Sequence, residues 1–423
     1  MGATSSKNGH SNKGKVLQQQ PVQPPQPPYN GIPCDYQFLR IDIPFTIQMN
    51  LSFLSNPNMQ MATSDPNAYV PHLTQMYEIG YRLLSFQLTP GSIQSSGFMT
   101  MSSTTTLRAQ AIFRKNEPKF KPDERFSLQV IKSSIESGTF LTGVHSMSHT
   151  SSQKQTQTQH LYQMINDYAC RGCRLRCIEI TGCYKPPQDL NMYGPQTMGV
   201  GSGMAYGQGH LHSRSRIYGV DLFFEIPQHP SPELYQYQAV PLKLTAQLNV
   251  SMGFGTPNQN WGLQLDWQGV MNQYLGTGWR LIEVFNDMSA DTSSGMTGFG
   301  SSSTTSVLNI IFIFEKSQSR LNDNTPMYEG TMVEYQAPGS VSAGIGTSTM
   351  VIDTNWDNVI ENMGNQGWEL ITILQTPATT TKMQFMGASM TSLMWMFFQR
   401  QIVSASLPPI GFDPPAPVLP YKQ

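Results

Sequence analysis

The chain opens Met1-Gly2-Ala3-Thr4-Ser5-Ser6, so a serine stands four residues after a glycine that becomes N-terminal once the initiator methionine is removed. That spacing is the acceptor pattern for N-myristoylation, in which the glycine amine is acylated and the chain gains a lipid anchor. Lys7, Lys13 and Lys15 lie close behind, and each lysine near an anionic membrane surface adds ~1 kcal/mol of attraction. Gly2 is therefore the expected lipidation site and the three lysines its electrostatic support. Covalent myristate is the only non-protein group expected.

Cys170, Cys173, Cys177 and Cys183 crowd one short stretch, with His210 and His212 farther on. Cys170-x-x-Cys173 is a spacing used by zinc and redox sites, but no second, matching pair follows it. Cys173 also stands in a repeat column held elsewhere by Tyr81, Trp279 and Trp368, which gives it a packing role. The expectation is no metal and no disulfide, with reduced and mostly buried cysteines. Cys170 and Cys183 are placed near surfaces, where an acyl chain could be added. The chain has no G-x-S-x-G, no phosphate-cradling G-x-x-x-x-G-K-[ST] and no H-E-x-x-H, and its acids and bases are scattered. No residue is nominated as catalytic, and an enzyme is not expected.

Composition narrows the partners further. Over 423 residues the net charge is -1 and only 13% of residues are charged, so no global basic field exists to hold a phosphate backbone. Sequence-specific nucleic acid is not an expected partner. No run reaches the ~18–20 apolar residues of a spanning helix. Residues 1–33 are polar and carry Pro21, Pro24, Pro25, Pro27 and Pro28, which predicts a disordered tether. Its P-x-x-P spacings have no closely flanking arginine or lysine, so they read as spacer rather than as an SH3 ligand. Residues 403–423 read as an irregular, Pro-rich tail.

The elements that must position all of this repeat four times. Gly80-Tyr81-Arg82-Leu83, Gly172-Cys173-Arg174-Leu175, Gly278-Trp279-Arg280-Leu281 and Gly367-Trp368-Glu369-Leu370 share an upstream register. Eleven, seven and four residues before the glycines stand Tyr69, Leu73 and Met76, then Leu161, Ile165 and Tyr168, then Trp267, Met271 and Tyr274, then Trp356, Ile360 and Met363. An apolar stripe at i, i+4 and i+7 is one face of an amphipathic helix. The glycine ends that helix in a left-handed conformation. A strand follows, then a loop and a second strand that ends in phenylalanine and a polar residue: Phe113-Arg114, Phe224-Glu225, Phe314-Glu315 and Phe398-Gln399. A further strand precedes each helix.

These patterns predict an α+β fold of four tandem β-α-β-β repeats, at about 34–118, 122–226, 240–317 and 327–402. In each, the first two strands are expected to run parallel through a right-handed crossover. The repeats are expected to pair, first with second over 34–226 and third with fourth over 240–402, into two two-layer α/β sandwich domains joined by a linker at 227–239. The tryptophan columns read as core packing. The loops between the last two strands mix glycine, serine and threonine with Phe98 and Met99, with Met296 and Phe299, and with Phe385 and Met386. Such side chains can enter a bilayer interface or repack against several partners, which makes these six residues candidate membrane or partner contacts.

With its repeat and leader, the chain resembles the raftlin family of lipid-anchored, raft-associated proteins. The resemblance is carried by Asp35-Tyr36-Gln37-Phe38-Leu39, Ile311-Phe312-Ile313-Phe314-Glu315, Met332-Val333-Glu334-Tyr335, Gly367-Trp368-Glu369-Leu370, Leu374-Gln375-Thr376-Pro377 and Phe398-Gln399-Arg400. It implies a non-enzymatic scaffold on the cytoplasmic face of the plasma membrane, with a cytosolic pool, that organises membrane rafts for receptor signalling or endocytic uptake. Implied partners are inner-leaflet lipids, membrane receptors or endocytic adaptors, and a second copy of the chain. The family places a palmitoylatable cysteine after the glycine, whereas this chain has Ala3, so a second membrane signal is required and raft partitioning is in doubt. The alternative reading is a soluble β-α-β-β array that binds a small ligand or a protein without an anchor.

Overall fold

The apolar stripes are wound into four helices, α1 (Val70–Glu78), α2 (Gln159–Ala169), α3 (Trp267–Leu275) and α4 (Asp357–Gly364). Leu73, Ile165, Met271 and Ile360, which share one column of the stripe, are at most 1% exposed. Burying each contributes roughly 1.5–3 kcal/mol. The glycines that end the helices, Gly80, Gly172, Gly278 and Gly367, have φ of 91°, 78°, 83° and 79°. A side chain is strained in that region. At Gly278 an added Cβ would also meet the Thr325 carbonyl oxygen at 2.9 Å. Gly278→Ala is expected to lower unfolding free energy by about 1–3 kcal/mol, read from urea denaturation.

The computed structural model describes residues 32–50, 58–61, 66–94, 102–115, 126–144, 149–184, 216–227, 233–251, 258–298, 301–344, 347–384 and 387–402. They form a strand-dominated α+β fold. Each helix is preceded by two strands and followed by two. The first unit holds β1 (Tyr36–Asn50), β2 (Asn58–Met61), β3 (Tyr81–Gln94) and β4 (Ser102–Lys115). The second holds β5 (Phe126–Val144), β6 (His149–Gln157), β7 (Arg174–Tyr184) and β8 (Arg216–Pro227). The third holds β9 (Tyr235–Ser251), β10 (Asn258–Gln264), β11 (Arg280–Gly298) and β12 (Ser301–Ser317). The fourth holds β13 (Tyr328–Gly344), β14 (Thr347–Ile352), β15 (Glu369–Gln384) and β16 (Gly387–Gln401).

The unit is therefore β-β-α-β-β, with a strand that the expected β-α-β-β repeat lacked. β2, β10 and β14 are only 4 to 7 residues long and fold back on the far end of the preceding strand, so their sequences offered little periodicity to read. The strand order in the first unit is β2-β1-β4-β3, and among the described residues every ladder is antiparallel. β1 and β3 run the same way but are not neighbours, because β4 lies between them. The expected parallel pair is thus replaced by two antiparallel ladders.

The expected pairing of units is also corrected. β11 of the third unit pairs with β6 of the second, from Ala290 opposite Lys154 to Gly295 opposite His149, which joins these two units in one eight-stranded sheet. Gly31–Gln423 forms a single compact unit. Contacts run in a circle: α1 packs on β5, α2 on β9, α3 on β13 and α4 back on β1. The third strands meet in the same cyclic order, β3 on β7, β7 on β11, β11 on β15 and β15 on β3. Each apolar core accordingly draws on two units. Trp356, Ile360 and Phe398 of the fourth pack with Tyr36, Leu84 and Ile112 of the first. Leu161, Ile165 and Phe224 of the second pack with Ile282, Phe285 and Ile313 of the third. A helix held between its own sheet and the next cannot bury both faces inside a separable two-unit domain, which is why a ring forms.

Candidate functional site

The third strand of each unit is the edge of its sheet's own four strands, so alternate backbone N–H groups point off the sheet toward the neighbouring unit. Left unpaired in the interior, each would cost about 1–3 kcal/mol. In each unit one such N–H finds a side-chain acceptor. Leu83 N–H donates to the Tyr77 hydroxyl at 3.2 Å, and Leu175 N–H to the Tyr237 hydroxyl at 2.9 Å. Leu281 N–H donates to Gln399 Oε1 at 3.0 Å, and Leu370 N–H to the Tyr36 hydroxyl at 2.8 Å. Tyr77 comes from the unit's own helix, and the other three come from the next unit around the ring.

Beside each of these bonds lies a buried charge. Between the first and second units, Arg82 Nε donates to Glu225 Oε1 at 3.0 Å, its Nη2 bonds the other carboxylate oxygen, and Arg176 Nε stands 3.3 Å from Oε1. Between the second and third, Arg174 Nη2 meets Glu315 Oε1 at 2.7 Å, and the Tyr237 hydroxyl donates to the same carboxylate. Between the third and fourth, Arg280 pairs with Glu369. Between the fourth and first, Arg114 Nη1 meets the other oxygen of Glu369 at 2.8 Å. Burial pushes Glu225 and Glu369 upward, but the flanking guanidiniums outweigh it and hold both carboxyls down to about 2. Aromatic faces complete two of the sites, Phe126 at 5.2 Å from the Arg82 guanidinium and Tyr235 at 4.5 Å from that of Arg174.

A second set of side chains bridges the third strands themselves. Glu179 of the second unit accepts from Leu88 N–H at 2.8 Å. Glu283 of the third accepts from Ile178 N–H at 2.9 Å and from its neighbour Val284 N–H at 2.8 Å, and bonds Thr372 of the fourth. Gln87 of the first donates to the Ile373 carbonyl of the fourth. Burial pushes Glu283 up to about 7 and Glu179 well above the usual carboxylate range. Asp221, bonded to the Tyr69 hydroxyl, is raised to about 6 by burial. These groups bind backbone amides and side chains across unit boundaries, and what the arrangement does chemically is hold a ring closed.

The sequence-predicted sites fall elsewhere. Gly2, Lys7, Lys13, Lys15, Phe98, Met99, Phe299, Phe385 and Met386 lie outside the described residues, as do His210 and His212. Met296 lies in β11, opposite Ser302. Cys170 caps the end of α2 and is exposed, whereas Cys173 and Cys177 are buried and burial raises both thiols. Cys183 pairs with Tyr218 in the β7–β8 ladder. Among the described residues no group of three His, Cys, Asp or Glu side chains could hold a metal ion, and no helix is long and apolar enough to cross a membrane. The interface charges were missed although their columns were in view. The signal was Arg82, Arg174 and Arg280 standing where the fourth copy has Glu369, together with Arg114 standing where two other copies have Glu225 and Glu315.

The described residues thus define an α+β ring, rich in antiparallel strand, whose interfaces are locked by buried ion pairs. No protein-family model matches the chain, and no curated protein or solved structure matches it.

Proposed function

We propose that this protein is an N-myristoylated peripheral membrane scaffold, similar in that respect to the raftlins, which serves receptor signalling or endocytic uptake at the cytoplasmic face of the plasma membrane. It has no enzymatic activity, and its four β-β-α-β-β units act as one rigid body. The observation that carries this reading is where the chain ends lie relative to the hairpins. Tyr36 opens β1 opposite Arg114, and Gln401 closes β16 opposite Tyr328, so the first and last described strands begin and end at one end of the sheets, the base of the ring. The strands that run toward Phe98, Met99, Phe299, Phe385 and Met386 end at the other end of the same sheets. A strand of 17 residues such as β9 spans ~55 Å at ~3.3 Å per residue.

An anchor on Gly2 therefore favours a base turned to the membrane and hairpins turned to proteins in the cytosol. On this reading the six candidate contact residues, of which Met296 in β11 is the one described, serve partner contact rather than bilayer insertion. A single myristoyl chain binds membranes with a constant on the order of 10⁴ M⁻¹, which makes the attachment reversible. The test is metabolic labelling with a myristate analogue, combined with fractionation of Gly2→Ala. Label on the parent, lost in the variant together with most of its membrane fraction, is the expected result. Equal membrane fractions for the two proteins would overturn the anchor.

A further inference from the structure

Three interfaces of the ring join units that the chain already links. The fourth, between the last unit and the first, is made by non-covalent contacts alone. Cys34 N–H donates to the Gly364 carbonyl at 2.9 Å, Tyr36 sits on Trp368 and Leu370, and Arg40 meets Asp357 at 2.5 Å. A Cβ at Gly364 would lie 2.5 Å from the Tyr36 ring, so helix and strand are in close contact there.

The charges at this seam are reversed. In the first two interfaces the third strand gives the arginine, Arg82 or Arg174, and the last strand of the next unit gives the glutamate, Glu225 or Glu315. At the seam the third strand gives Glu369 and the last strand gives Arg114. The consequence is selective. The last unit set against the second or third would bury Glu369 with Glu225 or Glu315, and any of the first three units set against the first would bury two arginines together. Like charges out of water are strongly unfavourable, and breaking a buried pair costs far more than forming it gains. Of the four units only the last presents a carboxylate to the face that carries Arg114, and only the first presents a guanidinium from its last strand to Glu369.

We propose that this seam is a charge-keyed latch, and that when it opens its two faces take a second copy of the chain, the last unit of each copy docking on the first unit of the other. The partner is specified by the key itself, because the face carrying Arg114 accepts a glutamate in the position Glu369 holds. If the membrane reading above is right, two copies joined this way bring two acyl chains to one particle, which offsets the missing acylation site at Ala3.

The test uses two full-length, unacylated variants without lipid, so its outcome does not depend on the membrane reading. Arg114→Glu sets a carboxylate against Glu369. Glu369→Arg, combined with Gln399→Glu so that Arg280 keeps a carboxylate partner, sets a guanidinium against Arg114. Each is expected to lose the closed monomer and to melt below the parent. Mixed, they are expected to form a 1:1 complex of two chains by native mass spectrometry, since both cross-contacts are then matched. All three substitutions in one chain are expected to restore the monomer. A variant that stays monomeric with the parent's Tm, a mixture that yields no two-chain complex, or a triple variant that stays open would each overturn the proposal.

Discussion

Glu225→Ala is expected to cost about 3–5 kcal/mol of unfolding free energy, the largest single-residue loss in the described part of the ring. Glu225 is 0% exposed and receives Arg82 through two nitrogens, Arg176 and the Tyr77 hydroxyl. Truncation strips both guanidiniums of their carboxylate where water cannot replace it. The sheet column that holds Arg176 is occupied in the other units by Leu84, Ile282 and Ile371, each of which packs into the neighbouring core. That gives a second arm to the experiment. Arg82→Met, Arg176→Ile and Glu225→Leu combined should return to within about 1–2 kcal/mol of the parent, because a buried ion pair replaced as a whole by apolar side chains is often neutral. Urea denaturation of the single and triple variants decides it. A triple variant no more stable than Glu225→Ala would show that the charges contribute more than mutual compensation.

Unfolding free energy is expected to peak on the acid side of neutrality, and Glu283→Gln should remove much of the fall above that peak. The fold raises the Glu283 carboxyl from its ordinary 4.5 to about 7 because burial disfavours the charge. A carboxyl raised by folding is protonated in the native state while the unfolded chain has already lost its proton. Its contribution is therefore complete below about 4.5 and declines as pH rises toward 7. At one pKa unit per ~1.4 kcal/mol, the decline is about 3 kcal/mol. Glu179 and Asp221, also raised, work in the same direction. Glu225 and Glu369, lowered from 4.5 to about 2, work in the opposite one. Their contribution is present above 4.5 and is lost as pH falls toward 2. The measurement is unfolding free energy from pH 3 to pH 8 for the parent and for Glu283→Gln. Parallel curves between pH 5 and pH 8 would remove Glu283 from the account.

The two predictions differ in how far their residues could be read in the sequence. The helices could be read because a 3.6-residue period is a local property, and the column from Leu73 to Ile360 states which face is buried. The terminating glycines could be read because only glycine takes a φ near +80° without strain. The short β2, β10 and β14 could not, since four to seven residues fixed by pairing with a neighbour carry little pattern of their own. Of the candidate sites, the Gly2 motif is a property of six adjacent residues. The buried charge pairs that join one unit to another are a property of residues 89 to 255 positions apart, such as Arg280 with Glu369 and Arg114 with Glu369.

The amino-acid sequence by itself determined that the chain repeats, which residues face a core, where each helix stops and which glycine stands in the spacing of an acylation motif. Each of these depends on neighbours within a few turns or a short stretch of chain. The tertiary structure decided that the four units close in a circle, that Glu225 and Glu369 remain ionised while Glu283 does not readily do so, and that the closing contact is reversed in sign. The physical reason is that a helix with two apolar neighbours needs a second sheet, and a buried charge needs its opposite, and both come from units distant in sequence.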